Sequence, residues 1–371
     1  MISVIGVGQA GGNMADEFAK QNIPALAINY SERDLKSLEH VSKKLKLVGS
    51  EGVGKVRENA IKLMNDNWES TIEFIRQSIS TLSIEVVFVI FSTGGGSGSG
   101  VSPLILEMLT NELPEKVFVA CPIIPDKSEA VINQINTVNT TKEIYTQDLC
   151  IIPIDNEQAK ENFKLISKNR IYNKVNTQFV DLLSSIVSYT KKSSKYGVLD
   201  RKDLKQIFST KGICILSKSD IAEISDTNLT SEGVTNAIQY QWKKNIFSPI
   251  DYNQVIRAGV IYDGQEALMD YLPIEKIYNV FKNGIPVDLF EGYYTEQERN
   301  GTVYTILGGL PWINARLNEI SKLIEEKQSV IHLQQDNSNT LQNDFKDFTS
   351  KVRKEPVPKR SVTEILAKYN R

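Results

Sequence analysis

Residues 86–103, VVFVIFSTGGGSGSGVSP, place side chains and bare backbone in an order suited to holding an oxyanion. Val86 to Phe91 is an unbroken apolar run rich in β-branched residues, the pattern of a strand buried on both faces in a parallel sheet. Gly94, Gly95, Gly96, Ser97, Gly98, Ser99 and Gly100 follow. Pro103 then opens the stretch LILEMLTNEL, and proline suits the first turn of a helix. Glycines let backbone N–H groups converge on an anion, and a helix N-terminus adds partial positive charge. A flexible linker would not follow a buried strand and lead straight into an apolar helix.

A second glycine loop opens the chain. Ile2 to Val7 reads as a strand, then come Gly6-Val7-Gly8-Gln9-Ala10-Gly11-Gly12-Asn13 and the helical stretch MADEFAKQ. This fits the G-x-G-x-x-G dinucleotide fingerprint in its strand–loop–helix setting. A nicotinamide enzyme needs an acidic residue ending the next strand, whereas PALAINY ends on Asn29, with Ser31 and Glu32 beyond. An NAD(P)-dependent oxidoreductase is therefore the weaker reading, and it leaves the second loop without a task. Two glycine loops on one rim suit a triphosphate, whose charge of about −4 needs many donors. Residues 45–56, LKLVGSEGVGKV, meet the Walker pattern through Gly49, Gly54 and Lys55, but Val56 stands where a magnesium-binding hydroxyl is needed. Lys55 reads equally as a phosphate contact and as a solvated surface lysine.

The elements that must position these loops follow in order. Strands at Val117–Ile124 and Leu149–Ile154 alternate with helices at roughly 68–82 and 128–146, and the second strand runs into Asp155-Asn156. That alternation predicts a doubly wound parallel sheet with loops 8–13, 29–31, 49–55 and 94–100 on one rim. Apolar residues Ile171, Val175, Phe179, Leu182, Leu183 and Ile186 fall at helical offsets. Beyond them, YGVLDRKDLKQIF carries Asp200 and Asp203, three apart, which by themselves read as a plain helix cap. Strands VIRAGVIYD, VDLFEGYY and TVYTILGGL, with intervening helices, then predict a smaller α+β unit, and Pro311 starts a long helix. Residues 351–371 hold seven Lys/Arg against two Glu, a net of +5 on a chain of net −2.

Composition limits the function classes. At 371 residues, 41% hydrophobic and 24% charged, the chain is long enough for two full cores. No apolar run approaches the roughly 18 residues of a membrane span, and MISVIGVGQ reads as a strand and not a signal peptide, so no membrane association is expected. Cys121, Cys150 and Cys214 sit in apolar runs without metal-site spacing, which predicts reduced thiols in a cytoplasmic protein and no protein-built metal site. The basic surface is too small to make the chain a direct nucleic-acid binder.

GGGSGSG resembles the tubulin/FtsZ signature GGGTGTG, with serine for both threonines. GQAGGN, the AIN strand end and the aspartate loop follow in the family's order, so the resemblance covers roughly residues 1–330. TVYTILGGLPWINARLNEI is most like the plasmid and phage TubZ branch. The resemblance implies a tubulin-like fold: an α/β GTP-binding domain at 1–170, a central core helix at 171–196, a smaller α+β domain at 197–332, and an exposed helix with a basic tail at 333–371. It implies nucleotide contacts from Gly8, Gln9, Ala10, Gly11, Asn13, Asn29, Gly52, Gly94, Gly95, Gly96, Ser97, Gly98, Ser99 and Asn156. Asn176 falls where the family reads the guanine edge, and Asp126 or Glu129 would serve the ribose. Asp200 and Asp203 would be catalytic, entering a neighbour's site, although Val198 replaces the asparagine of the FtsZ-like loop. GTP, GDP and Mg²⁺ are the implied cofactors. Self-assembly head to tail, a DNA-bound adaptor held by the tail, and segregation of plasmid or phage DNA complete the expectation. An FtsZ-like division scaffold is the alternative.

Overall fold

The computed structural model describes residues 1–221, 229–297, 301–332 and Lys368, with side chains in the last helix described through Lys327. The expected tail at 333–371 therefore lies, Lys368 apart, outside the described residues.

In chain order the elements begin with β1 (Ile2–Val7), α1 (Gly8–Lys20), β2 (Ala25–Asn29), α2 (Glu32–Lys36), β3 (Lys43–Lys46), α3 (Arg57–Met64) and α4 (Trp68–Ser78). Next come β4 (Val86–Ser92), α5 (Ser97–Glu112), β5 (Val117–Ile124), α6 (Val131–Tyr145), β6 (Cys150–Ile151), β7 (Ile154–Asp155) and α7 (Asn156–Asn162). The rest of the chain forms α8 (Lys168–Tyr189), α9 (Arg201–Phe208), β8 (Gly212–Asp220), α10 (Ser231–Lys243), β9 (Arg257–Asp263), α11 (Ile274–Tyr278), β10 (Asp288–Tyr294), β11 (Thr302–Leu310) and α12 (Asn314–His332).

The strands make one sheet in the order β10-β9-β11-β8-β6-β5-β4-β1-β2-β3, with β7 on β5. From β3 to β8 every pairing is parallel, and β11 runs antiparallel between β8 and β9. Strand β4 lies in the middle of the parallel run and is covered on both faces, which is why VVFVIFS is buried over its first six residues. The predicted strand at 149–154 is split into β6 and β7, with Pro153 between them having no N–H to give the ladder.

Central helix α8 buries Ile171, Val175, Phe179, Leu182, Leu183 and Ile186, the stripe that the spacing predicted. Phe179 meets Phe18 of α1 edge to face at 5.8 Å and Phe247 at 6.2 Å. A ring so enclosed contributes about 2–3 kcal/mol through burial alone. At the far end of α8, Tyr189 donates to Asp263 Oδ2 at 2.8 Å, tying the helix to β9.

Two helix starts differ from the sequence expectation. Helix α5 begins at Ser97, so Pro103 lies inside it and does not open it. Proline offers no N–H to the Ser99 carbonyl one turn back, and Thr140 Oγ1 of α6 donates there instead at 3.2 Å. Helix α1 begins at Gly8, so the first glycine loop is itself the opening of the helix. A side chain at Gly11 would meet the Ile90 carbonyl oxygen at 2.1 Å, so glycine there lets α1 lie directly on β4.

Candidate nucleotide site

A cleft of about 700 Å³ opens at the carboxyl ends of β1, β2, β4 and β5, within the usual range for a bound small molecule. Two helices aim their N-termini at it. Neither α1, of 13 residues, nor α5, of 16, has a side-chain cap at its start. Their first backbone N–H groups are therefore left for a ligand, with both helix dipoles favouring negative charge. The loops nearly touch: a Cβ on Gly8, where φ is +72°, would lie 3.0 Å from the Gly98 nitrogen.

Residues Gly49 to Val56 form a third wall. Gly52, Gly54 and Lys55 all have positive φ, and a Cβ on Gly96 would come within 2.5 Å of Val53 Cγ2. Asn136 of α6 fastens this wall to the signature loop. Its Nδ2 lies 3.0 Å from the Lys55 carbonyl oxygen and 3.2 Å from those of Gly94 and Gly95.

The other end of the cleft has a different chemistry. Asn169, Tyr172 and Asn176 reach it from α8, Glu129 and Asn133 from the start of α6, and Asn156 from the start of α7. Asn133 Nδ2 donates to Glu129 Oε2 at 2.5 Å. The buried Oδ1 atoms of Asn133 and Asn156 have no hydrogen-bond partner among the described residues. Buried acceptors of this kind call for a donor, and a ligand's hydroxyl or ring N–H supplies one. Burial, with Glu129 and Asp126 nearby, pushes the Tyr172 phenol up to about 12, so its ring is neutral near pH 7.

Of the residues expected from sequence, Gly8, Gln9, Ala10, Asn13, Asn29, Gly52, Gly95, Gly96, Ser97, Gly98, Glu129, Asn156 and Asn176 line this one cleft. Four others stand behind its wall. Gly11 is buried against Ile90, and Gly94 packs on Asn133. Ser99 is buried and turns its hydroxyl to the Gly95 and Gly96 carbonyls. Asp126 is also buried, accepting from Ser128 N at 2.8 Å with Lys160 Nζ at 3.8 Å. Sequence reading missed Asn133, Asn169 and Tyr172. The four-residue step from Glu129 to Asn133 was the available signal, since it puts both on one helix face.

Asp200 and Asp203 are elsewhere. Asp200 caps α9, accepting from Lys202 N at 2.6 Å and Asp203 N at 3.0 Å, while Asp203 Oδ2 accepts from Asp200 N at 2.8 Å. The neighbouring Arg201 binds the Ser83 carbonyl at 2.6 Å and Glu85 at 3.1 Å. The acidic pair thus sits by the amino end of β4, and the cleft opens at its carboxyl end. Seven residues of strand, at about 3.3 Å each, separate the two by roughly 20 Å.

Comparison with known proteins agrees with this architecture. Residues 1–164 match the family described as Tubulin/FtsZ family, GTPase domain. The chain is 28% identical over 324 residues to the tubulin-like protein CetZ of Pyrococcus horikoshii, covering 83% of this chain and 85% of that one. It is 24% identical over 328 residues to the tubulin-like protein TubZ of Clostridium botulinum C phage, covering 86% and 82%. The crystal structure of a GTPγS-form protofilament of Bacillus thuringiensis serovar israelensis TubZ superposes with a TM-score of 0.75 at 16% identity, covering 89% of this chain and 92% of that one. The fold is tubulin-like, and the expected resemblance to TubZ is joined by one to CetZ.

Proposed function

We propose that this chain, whose first 164 residues belong to the tubulin/FtsZ family of GTPase domains, binds GTP in the cleft and hydrolyses it when a second copy stacks end to end. The observation that carries this reading is the separation of cleft and acidic pair by the length of the sheet. Within one chain the carboxylates cannot reach the ligand. In a head-to-tail stack, Asp200 and Asp203 of one subunit meet the terminal phosphate held by the next. There they orient and polarise the attacking water, while the N–H groups opening α1 and α5 take up charge on the phosphates. An interface that does not close on itself propagates as a filament, and the TubZ relative crystallised as a protofilament supports this.

At the α8 end of the cleft, Asn176 takes the guanine edge, the Tyr172 ring flanks the base, and Glu129, Asn133 and Asn156 serve the ribose. The lining also suits a magnesium ion held mainly by phosphate. Asp34, Glu51 and Ser97 offer hard oxygen donors, and among the described residues no group of three His, Cys, Asp or Glu forms a metal cage. Bound Mg²⁺ would offset charge on the phosphate oxygens.

The test is the dependence of rate on concentration. Phosphate release per molecule should climb with protein concentration as subunits assemble, and a constant specific rate would exclude a shared site.

The finer reading is segregation of plasmid or phage DNA, with an adaptor on the basic tail; the resemblance to phage TubZ supports it. The division into a GTP-binding domain, a central helix, an α+β domain and a tail belongs to the same proposal, as does a cytoplasmic address. The three buried free cysteines suit that address, and no helix among the described residues is long and apolar enough to cross a membrane. Removing residues 340–371 should leave GTP affinity within about twofold by equilibrium binding, because the described lining of the cleft, from Val7 to Asn176, lies within the first half of the chain. A large loss of affinity would show that the tail is part of the nucleotide site.

A further inference from the structure

The basic tail has a foothold on the body of the molecule. Lys368 is helical, and its Nζ lies 3.0 Å from Glu107 Oε2 of α5. The pair is partly shielded from water, with the glutamate side chain 11% exposed and the lysine 30%. Glu143 of α6 supplies a second carboxylate at the same place. Gln147, just past the end of α6, donates to the Pro103 carbonyl at 2.8 Å, and Pro103 lies one turn before Glu107 on α5. The two glutamates therefore flank one crossing of α5 and α6. Burial raises the Glu143 carboxyl above its usual range, while Arg57 at 2.5 Å and the charge of Lys368 pull it back down.

The sequence around Lys368 fits such a slot. SVTEILAKY sets Val362, Ile365, Leu366 and Tyr369 at helical offsets, an apolar stripe with Lys368 beside it. The net +5 of residues 351–371 leaves −7 on the rest of the chain, so tail and body attract. Chain length allows the contact within one subunit. Helix α12 packs on α6 and ends at His332, so the connecting residues leave from beside the helix they return to. Residues 333–367 can span roughly 100 Å when extended. A segment tethered this way acts at an effective concentration on the order of millimolar, which lets a weak contact hold. The slot is also clear of the cleft, since Glu107 stands about 15 Å along α5 from Ser97.

We propose that the last segment of the chain, residues 361–371, has a resting site on its own subunit, in the acidic slot between α5 and α6, with Lys368 paired to Glu107 beside Glu143. The tail is then stowed and not displayed. A partner drawn to its positive charge competes with the slot for Lys368, so the slot sets a threshold for capture of the tail. This inference is independent of the nucleotide reading of the cleft.

Zero-length carbodiimide coupling of the full wild-type chain, dilute and without nucleotide, tests the placement. The reagent activates a carboxylate, a lysine amine in contact displaces it as the urea, and an amide joins the two side chains. Mass spectrometry of the monomer-mass product should show Lys368 joined chiefly to Glu107 or Glu143. A link found only in dimer-mass product, or Lys368 joined chiefly to other carboxylates, overturns the resting site. A charge swap gives a second reading. Cys121, Cys150 and Cys214 are buried, so a thiol-reactive dye on Asn370→Cys reports the tail alone. Its fluorescence anisotropy should fall in Glu107→Lys and in Lys368→Glu, where like charges meet, and should recover in the double variant, where the pair is reversed. Unchanged anisotropy in both single variants, or no recovery in the double, shows the tail held by something other than this pair and overturns the assignment.

Discussion

Asp200→Asn should abolish most GTP turnover, by about a hundredfold or more, while GTP affinity and thermal stability stay near wild type. The choice of asparagine decides between two roles for the same side chain. Asp200 caps α9, and that contact alone would account for its presence. Replacing such a cap by alanine costs about 1 kcal/mol, so a slow Asp200→Ala enzyme could simply be a frayed one. Asparagine caps as well as aspartate and can still accept from Lys202 N and Asp203 N, but it carries no charge. If the carboxylate orients water in a neighbour's cleft, Asn fails where the cap survives. If it is a cap only, Asn rescues. A phosphate-release assay on preformed filaments separates the outcomes, because assembly is then not the variable. Turnover within about threefold of wild type would remove Asp200 from the chemistry. Asp203→Asn should behave similarly, since Asp203 shares the capping box and the same exposed end of the molecule.

The parts of this site that were legible in the sequence are those written in backbone chemistry. Glycine clusters after buried strands have few other uses, so the loops at 8–13 and 94–100 could be placed on one rim before any coordinates. The stripe on α8 was equally plain, because burial on one helix face imposes its own period. Side-chain direction was not legible. Ser97 and Ser99 are two apart in one motif, yet Ser97 lines the cleft and Ser99 turns back to cap carbonyls. Helix geometry puts residues two apart on different faces, and the extent of the helix had been set too late by Pro103. Asp126 looked like a ribose contact from its position after β5, but it turns inward, toward Ser128 and Lys160. Tyr172 was hidden for the opposite reason: one aromatic near the start of a helix has no pattern around it. The joining of all strands into one sheet rests on the two-residue strand β6, whose pairs with β5 and β8 no periodicity could reveal.

Arg316→Met should cost about 3–5 kcal/mol of stability. Arg316 belongs to α12 and Asp155 to the short strand β7, and their side chains are 1% and 0% exposed. The guanidinium gives Nε to Asp155 Oδ2 at 2.9 Å and Nη2 to the Pro125 carbonyl at 2.9 Å. Methionine fills similar volume but leaves a carboxylate in the interior with only Ser248 Oγ at 2.9 Å and the Glu157 N–H at 3.0 Å. A buried charge deprived of its partner is worse than no charge, so adding Asp155→Asn should restore much of the loss, since asparagine keeps the cap on α7. Thermal melts of the single and double variants measure this, and a single variant melting within about a degree of wild type would show that α12 is held by other contacts. The consequence reaches the ligand. Asp155 precedes Asn156 on the cleft wall, and Pro125 begins the turn that leads to Glu129. One arginine near the start of the last described helix therefore braces both loops assigned to the ribose. GTP affinity should fall in Arg316→Met even at temperatures where the chain is folded, and recover in the double variant. That coupling gives α12 a second role beside packing, since its seat on the sheet depends on the same two loops that a bound nucleotide would press against.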